Sequence, residues 1–232
     1  VSLVGPNGVG KSTMFRCMMG FLKKYTGEIL LDGRDIRTIG RRDMSRLIAY
    51  IPQSSEPVFN YTLRDMVLMG TTGSMGPLER PRPEHIEMAE NVLDELGIGH
   101  LKERGIARVS GGERQLTLIG RAIVQQARIL VMDEPTANLD YGNKYRVMQK
   151  ICSLAEQGYT VLWSTHDPEQ ALRFATDVLA LRNGRICAYG PRDEVLTAEL
   201  LKELYDVDVL NVETEIAGKH VRTFIPEQQS DG

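Results

Sequence analysis

The run Gly5-Pro6-Asn7-Gly8-Val9-Gly10-Lys11-Ser12 restricts what this chain can fold into more than any other stretch. It fits the pattern G-x-x-x-x-G-K-[ST] and directly follows the short apolar segment Val1, Leu3, Val4. Glycines reach backbone angles closed to other residues, so successive amide N–H groups can turn inward and surround phosphate oxygens. Lys11 adds a charge suited to the β and γ phosphates of a nucleoside triphosphate, and the Ser12 hydroxyl suits the Mg²⁺ that accompanies one. A helix starting near Lys11, with Ser12 and Thr13 in its first turn, points its positive end at the same anion. Strand, glycine-rich loop and helix in that order call for an α/β fold.

The 232-residue chain is long enough for one well-buried α/β domain with a subdomain inserted in it. Its formal net charge of −3 leaves no electrostatic footprint for nucleic acid or an anionic membrane. Cys17, Cys152 and Cys187 are odd in number and sit in apolar periodic segments, so they read as core thiols in a reducing compartment. The longest apolar runs, such as Ile129 to Met132, fall far short of a bilayer span, and nothing resembles a signal peptide. Val1 already lies inside the strand that feeds the loop, so the start of the protein is expected to be missing.

Downstream of the first helix, Gly27 to Gly33 reads as a strand closed by the Asp32-Gly33 turn, and Leu47 to Ile51 as a buried strand ending at Pro52-Gln53. From Ser54 to Val109 the pattern changes to helices joined by Gly/Pro-rich loops, with Thr71 to Pro77 the plainest flexible piece. Ile86, Ala89, Val92, Leu93 and Leu96 recur at helical spacing between Pro83 and Gly97. Ser110-Gly111-Gly112-Glu113 opens a second helix whose start seeks an anion. An apolar strand from Ile129 ends in Asp133-Glu134, and a helix marked by Tyr145, Met148, Ile151 and Ala155 follows. The core strand Thr160 to Ser164 then ends beside His166. Asn183-Gly184 is a hairpin signal, and alternation around Ala217-Gly218 predicts a closing hairpin.

These pieces suggest a division of labour. Asp133 at a strand tip can hold Mg²⁺ directly or through water, and Glu134, diverging from it, can orient or deprotonate an attacking water. His166 can contact the γ-phosphate, and Gln53 can offer an amide oxygen to Mg²⁺ or to the water.

Taken in order, Gly5 to Ser12, Gln53, Val109-Ser-Gly-Gly-Glu113, Ile129 to Glu134, Ala137-Asn-Leu-Asp140 and His166 make the whole chain resemble the ATP-binding cassette transporter ATPases. The resemblance implies an α/β P-loop NTPase (RecA-like) core over 1–53 and 116–232, with a central mostly parallel sheet, and an inserted helical subdomain over 54–115. It implies ATP and Mg²⁺ as cofactors, bound by Gly5, Pro6, Asn7, Gly8, Val9, Gly10, Lys11, Ser12 and Thr13, with Ser12, Gln53 and Asp133 on the metal. Glu134, His166 and Gln53 are then the catalytic residues. It further implies that Ser110, Gly111 and Gly112 face ATP held by a second copy of the chain in a head-to-tail pair, with Asn138, Leu139 and Asp140 at the seam. Transmembrane permease subunits would dock near Ser54 to Thr72, on the cytoplasmic face of the membrane, and a substrate-binding protein would act indirectly.

Softer patterns narrow the branch. Arg46 to Gln53, Ser110 to Gln115, Leu139 to Asn143, Tyr189-Gly190-Pro191 with Glu194 to Thr197, and Leu204 to Val207 are similar to ATPases of bacterial iron-siderophore, haem and cobalamin importers. Val109 stands where the family usually has Leu. The family's N-terminal strands and the aromatic residue that stacks on adenine would precede Val1. Stacking contributes about 1–3 kcal/mol, so a chain beginning there is expected to bind ATP less tightly. A cassette ATPase of DNA repair or translation would call for coiled-coil insertions, tandem cassettes or basic patches. A guanine-reading N-K-x-D motif is broken at Asn143-Lys144-Tyr145-Arg146.

Overall fold

The computed structural model describes residues 1–53, 59–73, 75 and 79–227. In chain order it contains β1 (Ser2–Val4), α1 (Lys11–Met18), β2 (Leu30–Leu31), β3 (Arg34–Asp35), α2 (Arg41–Leu47), β4 (Ile48–Ile51), α3 (Leu63–Leu68), α4 (Pro83–Glu95), α5 (Gly111–Val124) and β5 (Ile129–Met132). There follow α6 (Tyr141–Glu156), β6 (Thr160–Thr165), α7 (Pro168–Phe174), β7 (Asp177–Arg182), β8 (Arg185–Pro191), α8 (Arg192–Val195), α9 (Ala198–Tyr205), β9 (Val209–Ile216) and β10 (Lys219–Pro226). The fold is α/β with mostly parallel sheet strands, as the phosphate-loop pattern predicts.

One compact unit comprises Val1–Met14 and Trp163–Gly232. Here β1 runs parallel to both neighbours, Ser2 lying opposite Trp163 of β6 and Val178 of β7. Strands buried on both faces read as continuous apolar runs, and Val4, Val178 and Ala180 are accordingly inaccessible to solvent. β8 returns antiparallel to β7 across Asn183 and Gly184, both at positive φ, which is the geometry of a tight hairpin turn. The closing hairpin β9/β10 is held to α7 through Glu169, whose carboxylate accepts from the Thr223 hydroxyl at 3.1 Å and the Phe224 N–H at 2.6 Å. Arg222 fastens it further by donating to the Asp193 carbonyl at 2.8 Å.

A second unit comprises Phe15–Leu162. Its strands β4 and β5 are parallel, with Ile48 opposite Ile129 and Ile51 opposite Met132. The Asp133 N–H extends the ladder by donating to the Ile51 carbonyl at 2.9 Å. Helices α3, α4 and α5 pack on one another, burying Leu63, Val67, Leu93 and Ile119 completely. Thr62 caps α3 by accepting from the Asp65 N–H, Pro83 opens α4, and Gly97 at φ +77 follows the last turn of α4.

Several details depart from the sequence expectations. Leu47 ends α2 instead of starting a strand, and the segment from Gly27 collapses to the short hairpin β2/β3 around the Asp32-Gly33 turn. Thr71 to Gly73 belong to a 3₁₀ turn in which Thr71 is buried and its hydroxyl donates to the Leu68 carbonyl at 2.8 Å. Ser74, Gly76 and Pro77 of the predicted flexible piece lie outside the described residues. The cysteines are not core thiols: Cys17 and Cys152 are half-buried and Cys187 is exposed on β8. On α6 the buried residues are Val147, Met148, Ile151 and Leu154, while Tyr145 and Ala155 face outward. Counting an aromatic ring and a small residue as core had rotated the expected face.

Candidate active site

In the first unit, β1 stops at Val4 and α1 begins at Lys11, leaving Gly5 to Gly10 as the loop between them. Gly8 at φ +80 and Gly10 at φ +109 occupy backbone conformations that a side chain would strain, which is why the loop carries glycine there. Lys11 is only 5 % exposed, and its ammonium donates to the carbonyls of Gly5 at 2.7 Å and Pro6 at 3.1 Å. The charge is thereby held over the loop. Ser12 is half-buried and Thr13 exposed in the first turn of α1. Because Val4 pairs with Thr165, the loop leaves the sheet beside the tip that carries His166, which is exposed. Asp167 caps α7 by accepting from the N–H groups of Glu169 and Gln170, so His166 sits at the junction of a strand and a capped helix.

In the second unit, β5 delivers Asp133 and Glu134, 4 % and 9 % exposed. Glu134 has φ +44, an uncommon conformation for a residue with a side chain, and the two carboxylates take different partners, Asp133 the Tyr50 hydroxyl and Glu134 the Gln53 amide. The parallel register carries Gln53 out opposite Glu134, and the Gln53 amide nitrogen donates to Glu134 Oε2 at 3.0 Å. A carboxylate only accepts, so the amide must present its NH₂ face. The structure thus places Gln53 on Glu134. The Tyr50 hydroxyl lies 3.4 Å from Asp133 Oδ2 and donates to it. Burial pushes the Tyr50 hydroxyl pKa up to about 12, with the Asp133 charge adding to the effect. Sequence reasoning missed Tyr50 because an aromatic residue inside an apolar strand looks like core.

The same unit brings Ser110, Gly111 and Gly112 against the segment Leu139 to Asn143. Ser110 caps α5, accepting from the Glu113 N–H at 3.3 Å, while Glu113 accepts from the Ser110 N–H at 2.7 Å. That bond holds the Glu113 carboxyl below its ordinary range. A side chain on Gly112 would come within 2.6 Å of Asn143 Oδ1, and one on Gly111 within 2.9 Å of the Leu139 side chain. Asp140 caps α6 by accepting from the Asn143 N–H at 2.9 Å and its side-chain amide at 2.7 Å. Asn138 takes a positive φ of 60. The two sequence motifs are therefore one packed cluster with Ser110 and Gly111 on its exposed side.

These residues suit a nucleotide and Mg²⁺. In the first unit, glycines at positive φ next to a buried lysine fit a phosphate and the Ser12 hydroxyl is a hard oxygen donor; in the second, taken by itself, the Asp133 carboxylate is another donor of the kind Mg²⁺ takes. Among the described residues no group of three or more His, Cys, Asp and Glu gathers as a dedicated metal cage. Nor is any described helix long and apolar enough to cross a membrane.

A family model described as ABC transporter matches residues 1–137. An uncharacterised ABC transporter ATP-binding protein of Haemophilus influenzae is 37 % identical over 203 residues, covering 88 % of this chain and 77 % of its own. The ferric enterobactin transport ATP-binding protein of Escherichia coli is 31 % identical over 218 residues, covering 94 % of this chain and 80 % of its own. In three dimensions the chain resembles a subunit of an ABC transporter assigned to the metal-chelate type and solved in an inward-facing conformation. The TM-score is 0.88 at 29 % identity, with coverage of 98 % and 86 %. Matched by this family model over more than half of its length and by relatives above 30 % identity over most of it, the chain belongs to the ATP-binding cassette transporter family of ATP-hydrolysing subunits.

Proposed function

We propose that this chain energises a bacterial importer of a metal chelate, an iron-siderophore, haem or cobalamin. The observation that carries the catalytic part is the buried pair Asp133 and Glu134 with the Gln53 amide on Glu134. The relatives named for ferric enterobactin and metal-chelate transport support the choice of cargo.

In this reading the loop from Gly5 to Gly10, with Lys11 and Thr13, binds the phosphates of ATP, and Ser12, Gln53 and Asp133 would hold Mg²⁺. Bound Mg²⁺ supplies charge neutralisation at the phosphates. Glu134 accepts a proton from the attacking water, and His166 contacts the γ-phosphate. Two copies associate head to tail, so that Ser110, Gly111 and Gly112 of one complete the site of the other. The pair docks on transmembrane permease subunits at the cytoplasmic face of the membrane, and a separate binding protein delivers the cargo.

Glu134→Gln tests the chemistry. It should lower ATP hydrolysis about 10²–10⁴-fold while ATP still binds, the range expected for losing a positioned general base. It should also trap an ATP-bound dimer in size-exclusion chromatography. Normal turnover in that variant would refute the assignment of the base. Uptake of labelled ferric siderophore, haem, cobalamin and free Mn²⁺ by cells carrying or lacking the gene tests the cargo. Transport of free Mn²⁺ alone would overturn it.

A further inference from the structure

Strand β4 does more than lead to Gln53. Its register against β5 sets Tyr50 opposite Val131 and Ile51 opposite Met132. Side chains alternate faces along a strand, so Tyr50, Val131 and Asp133 share one face of the sheet while Ile51 and Met132 share the other. Tyr50 and Asp133 are therefore diagonal neighbours by construction, and an aromatic side chain has the length to span a diagonal. The Tyr50 hydroxyl does so, ending 3.4 Å from Asp133 Oδ2.

From this geometry we infer that Tyr50 is a positioning residue for the Asp133 carboxylate. Its hydroxyl donates to Oδ2 and restricts the rotation of the carboxylate that would hold the cation accompanying the nucleotide. The inference rests on the proposed role of Asp133 and adds a residue to it. Three features make the arrangement suited to the task. Asp133 is 4 % exposed, so water offers little competition for its oxygens. The Asp133 N–H is committed to the Ile51 carbonyl at 2.9 Å, which fixes the backbone from which the carboxylate projects. Tyr50 is itself half-buried on a strand that is paired along its length, so its ring has few alternative positions.

A partner that orients a metal-binding carboxylate changes metal affinity more than nucleotide affinity. Tyr50→Phe keeps the ring and removes only the hydroxyl, so folding is spared. The test is Mn²⁺ binding by electron paramagnetic resonance to the full chain with ADP, alongside ADP binding in EDTA. Asp133→Asn and wild type serve as references. Tyr50→Phe should weaken Mn²⁺ binding about three- to tenfold, leave ADP binding in EDTA and the melting temperature unchanged, and raise the Mg²⁺ concentration at half-maximal hydrolysis by a similar factor. Mn²⁺ binding equal to or tighter than wild type in Tyr50→Phe, with Asp133→Asn clearly weakened, overturns the role of Tyr50. If Asp133→Asn also binds Mn²⁺ normally, the metal role of Asp133 has failed, and the inference falls with it.

Discussion

The side-chain amide of Gln53 donates to Glu134 Oε2 at 3.0 Å, across two parallel strand ends whose register sets them opposite each other. The amide fixes one oxygen of a carboxylate that already sits on a backbone at φ +44. Removing it frees that carboxylate to rotate. Gln53→Ala is expected to lower kcat about tenfold, on the scale of one hydrogen bond to a charged group, with KM for ATP unchanged. A rise in KM with kcat intact would show that Gln53 acts in binding instead.

A methyl group at Gly112 would meet the Asn143 side chain at 2.6 Å, and that side chain is tied to Asp140 by a hydrogen bond of 2.7 Å. Gly112→Ala should cost about 1–3 kcal/mol of stability, as overpacking generally does. Adding Asn143→Ala should recover part of it, because the nearest atoms belong to that side chain. Thermal melts of both variants check this, and an unchanged melting temperature in Gly112→Ala would contradict the packing described.

The capping box at Ser110 carries a pH dependence. Accepting from the Ser110 N–H holds the Glu113 carboxyl below its ordinary value of 4.5, against a smaller opposing effect of burial. A group whose carboxyl is lowered on folding contributes stability that is fully present above its unfolded value and is lost as pH falls through the folded one. The melting temperatures of wild type and Glu113→Gln should therefore differ most above about pH 5 and converge as the pH drops below about 4. A difference that grows on acidification would reverse the sign and sink the argument.

Much of this site was legible because it is written in local chemistry. The loop from Gly5 to Ser12 needs positive φ at Gly8 and Gly10, and only glycine supplies that without strain. Ser110 with Glu113 is a reciprocal cap readable from spacing alone. Gln53 on Glu134 was only half legible: polar residues at strand tips were visible, but their pairing depends on a register between segments far apart in sequence. Tyr50 was hidden for the same reason, since nothing local distinguishes it from a core ring. The cysteines misled because apolar neighbours say little about an edge strand such as β8, where Cys187 faces outward.

The closing hairpin yields a prediction of its own. Glu169 accepts from both Thr223 and Phe224, and it lies in the first turn of the helix that begins just after His166. Glu169→Ala should leave α7 helical but release β10. Faster amide hydrogen exchange over Lys219 to Pro226, with exchange in β1 and β7 unaltered, would be the sign. Unchanged protection of the Phe224 amide would show that Arg222 and the buried Phe224 ring suffice to hold the hairpin.

The ammonium of Lys11 rests on the carbonyls of Gly5 and Pro6 inside a nearly inaccessible position. A side chain ordered in this way has little rotational freedom left to lose when an anion arrives, so little of the attraction is offset by ordering it. The conformational cost of fixing this lysine is thus met when the loop folds, before any larger movement of the protein takes place.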